Sequence, residues 1–158
     1  MLTYATPTNT VITLASLAQG SARESRVIDN SSTRYDDVLF QLWYQTTMGA
    51  IADDKCVYVY FYGAASSNTF PATPNVTGTD AAITLAVGSN YNIGAPLIIS
   101  AINTQTTMRS EPVSVGQFFG GHLPSQWGFI VYNRTTLAFH STEGNHGNTY
   151  TGLYYVGT

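Results

Sequence analysis

The segment Cys56-Val57-Tyr58-Val59-Tyr60-Phe61-Tyr62 alternates small aliphatic residues with tyrosines and ends at Gly63. Such period-two alternation is typical of a β-strand whose two faces meet different surroundings. It predicts that Val57, Val59 and Phe61 point into a core, while the tyrosines line a partly wet outer face. This segment makes an all-β fold the first expectation.

Other strand signals follow on both sides of this segment, at spacings of about 10 to 20 residues. They predict about eight or nine strands and no long helix. The same alternation predicts that Ile98, Phe129 and Val131 also point inward. A single turn of helix is expected in the glycine-flanked stretch 116–121, and an extended arm or edge strand in 19–30. The predicted strands are 10–17, 35–47, 56–62, 81–87, 96–103, 108–115, 127–133, 135–141 and 149–156.

About eight short strands in a chain of 158 residues favour one antiparallel β-sandwich. We expect the jelly-roll type, because it is the common eight-stranded form. An immunoglobulin-like sandwich is the alternative, but the paired cysteines and buried tryptophan of that fold have no counterpart. The predicted domain spans 1–158, with an N-terminal arm at 1–8.

The charge content excludes several classes of partner. Charged residues make up only 9% of the chain, and its formal net charge is −3. Nucleic acids and anionic membranes select clustered cations, so neither is an expected partner. The N-terminus lacks a signal-peptide pattern, and the single Cys56 cannot form an internal disulfide, so we expect folding in a cytosol.

Residues with catalytic or metal-binding chemistry do not form a recognisable pattern. His140, Glu143 and His146 are close in sequence, but a strand leading into a glycine-rich turn does not bring ligands together as a helical motif does. The pairs 36–37 and 53–54 are adjacent aspartates, which on a strand would point to opposite faces. Cys56 is expected to be a core residue. We therefore expect no catalytic residue, no cofactor, no metal and no enzymatic activity.

The polar surface must come largely from hydroxyls, amides and tyrosines. The chain has 11 tyrosines, and aromatic residues make up 13% of it. Some of these rings are expected to cover the sheets. Exposed tyrosines with serine and asparagine between them also suit a protein interface or a carbohydrate site.

Several segments resemble small proteins of tailed-bacteriophage virions, encoded near capsid genes, which look like head decoration (cement) proteins. The resemblance implies a structural virion protein that binds and stabilises the capsid shell. It implies the major capsid protein as partner, a homotrimer, and a place on the capsid exterior after synthesis in the host cytoplasm. The segments that carry the resemblance are 13–18, 22–25, 29–30, 53–63, 78–85, 123–133 and 151–154.

Two sets of apolar residues are candidate contacts with the shell. The first is Met1, Leu2, Thr3 and Tyr4 in the predicted arm, because a terminus of this kind frays unless it is bound. The second is the pair Phe118-Phe119, which the sequence predicts to be exposed between glycines. The alternative function is a tail- or fibre-associated carbohydrate-binding module for host recognition.

Overall fold

The computed structural model describes residues 1–51, 55–64, 69–72, 74–85, 94–101 and 105–157. These residues form eleven β-strands and two short 3₁₀ turns, at Gly116–Phe119 and Glu143–Asn145. No helix in this part of the chain has the length and apolar character needed to cross a membrane. The strands are β1 Leu2–Tyr4, β2 Ala22–Glu24, β3 Ile28–Asp29, β4 Asp37–Tyr44, β5 Cys56–Ala64, β6 Ala81–Ile83, β7 Leu97–Ser100, β8 Met108–Arg109, β9 Val113–Ser114, β10 Gln126–Asn133 and β11 Gly147–Tyr155.

The strands form two antiparallel sheets, which confirms the all-β expectation. The first sheet, here called the β4 sheet, has the order β1-β11-β4-β8, and β9 also pairs with β4. The second, the β5 sheet, has the order β6-β2-β10-β5-β7, and β3 also pairs with β10. The longest strands, β4, β5, β10 and β11, therefore lie in the middle of the two sheets.

The main core contains buried residues of both sheets. Val57, Val59, Phe61, Phe129 and Val131 are all at most 1% exposed, as the alternation predicted. Phe40 of β4 connects the two sheets. Its ring centre lies 5.1 Å from that of Phe61 and 4.7 Å from that of Phe129. The residues that β4 contributes to this core are Val38, Phe40, Leu42 and Tyr44.

Ile98 does not point inward, so its prediction was wrong. It is 58% exposed, whereas Ile99 is 4% exposed and belongs to the core. In the ladder between β5 and β7, Ile98 is opposite Tyr58 and Ile99 is opposite Val57. Opposite residues share a face, so the inward side chain of Val57 places Ile99 inside.

The sequence predicted that the tyrosines line a partly wet outer face of the β5 sheet, but two of them are buried there. Tyr60 and Tyr62 are 6% and 1% exposed, and form a second apolar cluster with Val76 and partly buried Phe70. The Tyr62 hydroxyl donates to the backbone oxygen of Ser25 at 2.8 Å. We call Phe70, Val76, Thr77 and Gly78 the cover, because they lie over this face.

A buried carboxylate holds the cover in place. Glu24, on β2, is 1% exposed and accepts hydrogen bonds from the Thr77 and Gly78 backbone nitrogens at 3.0 and 3.2 Å. The Thr77 hydroxyl also donates to it. Gly78 has a φ of +73°, where a side chain would be strained, and an added Cβ would approach Phe70.

Two predicted strands, 10–17 and 135–141, are not strands. Each is part of a loop with one isolated bridge at or near it, Thr8 to Tyr150 and Thr46 to Phe139. The apolar residues of these loops are nevertheless buried, since Ile12, Leu14 and Phe139 are at most 7% exposed. The pattern predicted the burial of these residues correctly. The backbone groups of the two loops, however, bond to side chains and to isolated carbonyls, and not to a neighbouring strand.

Candidate interaction surface

The β4 sheet turns one face to the core and the other outward. Along β4, buried residues alternate with the half-buried Leu39, Gln41 and Trp43. Leu39 is opposite Thr151 of β11, and Leu153 is opposite Asp37. Strand alternation places all these residues on the outer face.

This outer face has an apolar strip that continues onto β1. Leu2 is opposite Tyr155, and Tyr4 is opposite Leu153. Leu2, Tyr4 and Tyr155 are 43%, 61% and 72% exposed. In the described part of the chain, no segment covers this strip in the way that the cover lies over the β5 sheet. We call this surface, which consists of Leu2, Tyr4, Leu39, Trp43, Leu153 and Tyr155, the open face.

Trp43 lies at one end of the open face, between its ladder partners on the strands at the two sides of β4. On one side is Gly147, its partner in the ladder, where an added Cβ would lie 2.3 Å from the indole Cζ2. On the other side, the guanidinium carbon of Arg109 lies 4.7 Å from the ring centre. The ring is therefore packed by the protein itself, and Gly147 is a glycine because no side chain fits under it.

A cleft of about 420 Å³ lies beside Trp43, and three polar side chains of its lining, those of Asn148, Glu143 and His146, are bonded within the protein. Asn148 accepts from the Thr10 backbone nitrogen and donates to the Thr10 carbonyl, at 3.1 and 2.9 Å. The carboxylate of Glu143 accepts from the backbone nitrogens of Leu14 and Ala15 at 2.9 and 2.6 Å. These groups hold the 10–15 loop to the sheet edge.

His146 also has both ring nitrogens bonded inside the fold. Nε2 lies 2.9 Å from the carbonyl oxygen of His140, and Nδ1 lies 3.3 Å from the Gln45 backbone nitrogen. A backbone N–H can only donate, so Nδ1 accepts and Nε2 carries the proton. Burial lowers the pKa of His146, against the opposing effects of the His140 carbonyl and Glu143. The imidazole stacks on Phe139, with ring centres 5.5 Å apart.

The described carboxylates that the sequence singled out hold turns together. Asp37 accepts from the Ser114 hydroxyl at 2.5 Å and from the Gly116 backbone nitrogen at 2.7 Å. The pair 53–54 lies outside the described residues. Across the described ranges, no group of three or more His, Cys, Asp or Glu side chains is placed to hold a metal ion. Cys56 is a half-buried free thiol at the start of β5.

The two predicted contact sets lie in different surroundings. Residues 2–4 are not a detached arm but strand β1, and the Met1 and Val156 backbones bond to each other at 2.8 and 3.0 Å. Phe118 and Phe119 are partly buried against the core, and the Phe118 ring lies 4.7 Å from that of Phe61. The sequence had predicted an exposed tip for this pair, because the contact with β5 is not visible in a local pattern.

The open face also includes residues that the contact prediction did not name. Leu39, Leu153 and Tyr155 are among them. The alternation in β4 was the available signal for Leu39, since it separates that residue from buried Val38 and Phe40. The pairing of β1 with β11, which completes the strip, has no signal in either strand alone.

A scan against models of known protein families found no match for this chain, and searches of curated proteins and of solved structures found none either.

Proposed function

We propose that this protein is a non-enzymatic structural virion protein that decorates a bacteriophage capsid and stabilises the shell. The observation that carries the proposal is the contrast between its two outer faces. The cover lies over Tyr60 and Tyr62 on the outer face of the β5 sheet, whereas no described segment covers the apolar strip on the β4 sheet. Exposed apolar strips of this kind mark association surfaces.

The chemistry of the open face suits contact with another protein. It combines leucines with tyrosines, and its neighbours on β11 are Thr149 and Thr151. Tyrosine gives a large contact area at a small loss of conformational entropy. The face has few ions to desolvate on binding, which suits permanent attachment. The capsid shell as the partner rests on the sequence resemblance.

The proposal includes a jelly-roll type of sandwich. From β4 to β5, and again from β7 through β8–β9 and β10 to β11, the chain passes from one sheet to the other. The late strand β10 lies between the early strands β2 and β5. Such crossings between two sheets support the proposal, because a jelly roll is a double-sheet fold built from two Greek keys.

The proposal also keeps the assembly expected from the sequence. Three copies associate around one position of the shell, on the capsid exterior, after synthesis in the host cytoplasm. An ion-poor surface supports association, because few charges must lose water when copies meet.

The carbohydrate-binding alternative is less well supported by the described surface. A sugar ring stacks on a free aromatic face, but the Trp43 indole already has the Arg109 guanidinium over its ring and packs closely against Gly147. The neighbouring Asn148, Glu143 and His146 already bond to the protein.

The test compares particles that carry the wild-type protein with particles that carry a variant of the open face. Thr151→Glu places a charge beside Leu39, in the middle of the strip. We expect it to lower shell occupancy by at least tenfold, because the charge must be desolvated on contact. Heated particles should then lose their contents at the temperature seen without the protein.

The matched control is Ala82→Glu, at an exposed strand position on the β5 sheet. It adds the same charge and should leave occupancy unchanged. Equal occupancy for Thr151→Glu and Ala82→Glu, with both variants folded, would contradict a contact through the open face. Binding of purified protein to host glycans but not to shells would favour the alternative function.

A further inference from the structure

One edge of strand β1 has no partner among the described strands. The strand lies at the end of the β4 sheet, and among the described strands its neighbour is β11. The backbones of Met1 and Val156 bond to each other, and the Ala5 nitrogen donates to the Gly152 carbonyl. Backbone groups alternate in direction along an antiparallel strand, so the N–H and C=O groups of Leu2 and Tyr4 point away from β11.

Apart from the shortness of the strand, residues 2–6 of the β1 edge have no charge or proline to protect it against pairing. Edge strands are commonly blocked by charges, prolines or irregularities. On the opposite edge of the same sheet, β8 and β9 are separated by Ser110-Glu111-Pro112, and β8 ends in Arg109. Residues 2–6, in contrast, include no charged side chain and no proline.

Thr3 supplies a second observation at this edge. Its hydroxyl oxygen is buried and has no hydrogen-bond partner among the described residues. It stands between Leu2 and Tyr4, in the middle of the three-residue strand. A buried hydroxyl without a partner is unfavourable, so a partner that arrives at this edge would gain from satisfying it.

We propose that β1 pairs antiparallel with β1 of a second copy of this chain, across a two-fold axis at Thr3. Leu2 of each copy then stands opposite Tyr4 of the other, and the two residues exchange both backbone hydrogen bonds. The two Thr3 residues face each other as a non-hydrogen-bonded pair, which brings their side chains closest. Rotation about χ1 lets their hydroxyls bond to each other, a favourable cross-strand pair.

The second copy fits this edge because the edge is complementary to itself. The antiparallel register sets neutral apolar residues against neutral apolar residues, and no like charges meet. The opposite edge of the same sheet, broken at 110–112, offers no comparable strand for head-to-tail pairing. A two-fold contact also uses a different axis from the three-fold association proposed above, so it would link neighbouring groups of copies.

The size of the contact sets its strength. Stable interfaces bury about 20–30 residues on each side, while β1 offers three. The pair is therefore weak in dilute solution and forms when copies are held close together, as on a shell, where the effective concentration is high.

Disulfide trapping tests the pair in the purified protein, without a shell. Thr3→Cys is made together with Cys56→Ser, and the protein is oxidised at high concentration. Opposite Cα atoms in a non-hydrogen-bonded pair lie about 4.5 Å apart. This separation is inside the range that a disulfide spans. We expect a covalent dimer joined through residue 3.

The matched control is Thr6→Cys in the same Cys56→Ser background. Thr6 is exposed and lies near the same edge. In the proposed register, however, residue 6 of one chain lies about 20 Å from residue 6 of the other, since six residues of strand separate them. Equal dimer yields from Thr3→Cys and Thr6→Cys, or no dimer from Thr3→Cys, would overturn the proposal.

A second pair of variants tests the backbone pairing itself. Tyr4→Pro, added to Thr3→Cys, removes the N–H of residue 4, which points away from β11, and leaves the bonds to β11 in place. Proline is tolerated at such a position of an edge strand. It should slow the cross-linking at least tenfold relative to Tyr4→Thr, which keeps the N–H. Equal rates would refute pairing through the backbone. Because no shell takes part, failure here leaves the proposed decoration function untouched.

Discussion

The outer faces of the two sheets are built from similar residues and differ in what lies over them. On the β5 sheet, Tyr62 is 1% exposed and packs against Phe70 of the cover. On the β4 sheet, Tyr155 is 72% exposed. The same residue type is therefore part of the structure on one face and available to a partner on the other. Tyrosine content alone does not identify an interface.

Tyrosine truncation should give the largest difference between the faces. Tyr62→Ala removes a fully buried ring and its bond to Ser25, and should lower the free energy of unfolding by about 4 kcal/mol. Tyr155→Ala, on the open face, should change it by less than about 0.5 kcal/mol. Urea denaturation measures both. Similar losses would mean that the two faces are equally buried.

Replacement of Glu24, which bonds to the cover, should give the next largest loss of unfolding free energy. Glu24→Gln places an amide donor against the nitrogens of Thr77 and Gly78, and should cost about 2–3 kcal/mol. Glu143→Gln is the control, because this exposed carboxylate also accepts two backbone N–H groups. Its loss should be about 1 kcal/mol or less. A smaller loss for Glu24→Gln than for Glu143→Gln would show that the cover does not depend on Glu24.

The packing of Trp43 gives a smaller effect at the end of the open face. Gly147→Ala would bring a methyl group into the indole, so the ring must move, at a cost of about 1–3 kcal/mol. Tryptophan fluorescence should shift to longer wavelength as the ring becomes wetter. Gly144→Ala has no neighbour within 4 Å and should alter neither property. Unchanged fluorescence in Gly147→Ala would contradict the packed indole.

The titration of His146 gives the smallest effect and tests whether the groups beside the open face belong to the fold. Its pKa is lowered by burial, so the unfolded chain takes up a proton first as the pH falls. The contribution of His146 to stability is thus present above the ordinary value of 6.5 and is lost as the pH falls through the folded pKa. NMR of the imidazole should give a midpoint below 6.5. A midpoint at or above that value would contradict a His146 ring buried in the fold.

The central strands could be predicted from the sequence because their two faces differ. In β4 and β5, one set of alternate residues is buried in the main core, and the alternation is visible in the chain itself. The burial of Tyr60 and Tyr62 could not be predicted in this way. Their cover belongs to another part of the chain, and a local pattern does not show it.

The same limit explains the errors at the edges. Ile98 and Ile99 are adjacent isoleucines, and only the register against β5 decides which of them is buried. The 10–17 loop has the composition of a strand, but its nitrogens bond to the side chains of Glu143 and Asn148. The open face was predictable in part, from Leu39 and Trp43, while its extension onto β1 depends on a partner strand about 150 residues away.

The position of β10 between β2 and β5 has a consequence for the time at which the protein can fold. Residues 22–24 and 56–64 leave the ribosome early, but both need residues 126–133 as their common neighbour. Until that strand is synthesised, β2 can pair only with β6 and β5 only with β7, and the sheet cannot be completed between them. Folding must then begin late, from contacts between distant segments, which makes it slow. The growing chain therefore meets its greatest risk of aggregation before its last quarter has been translated.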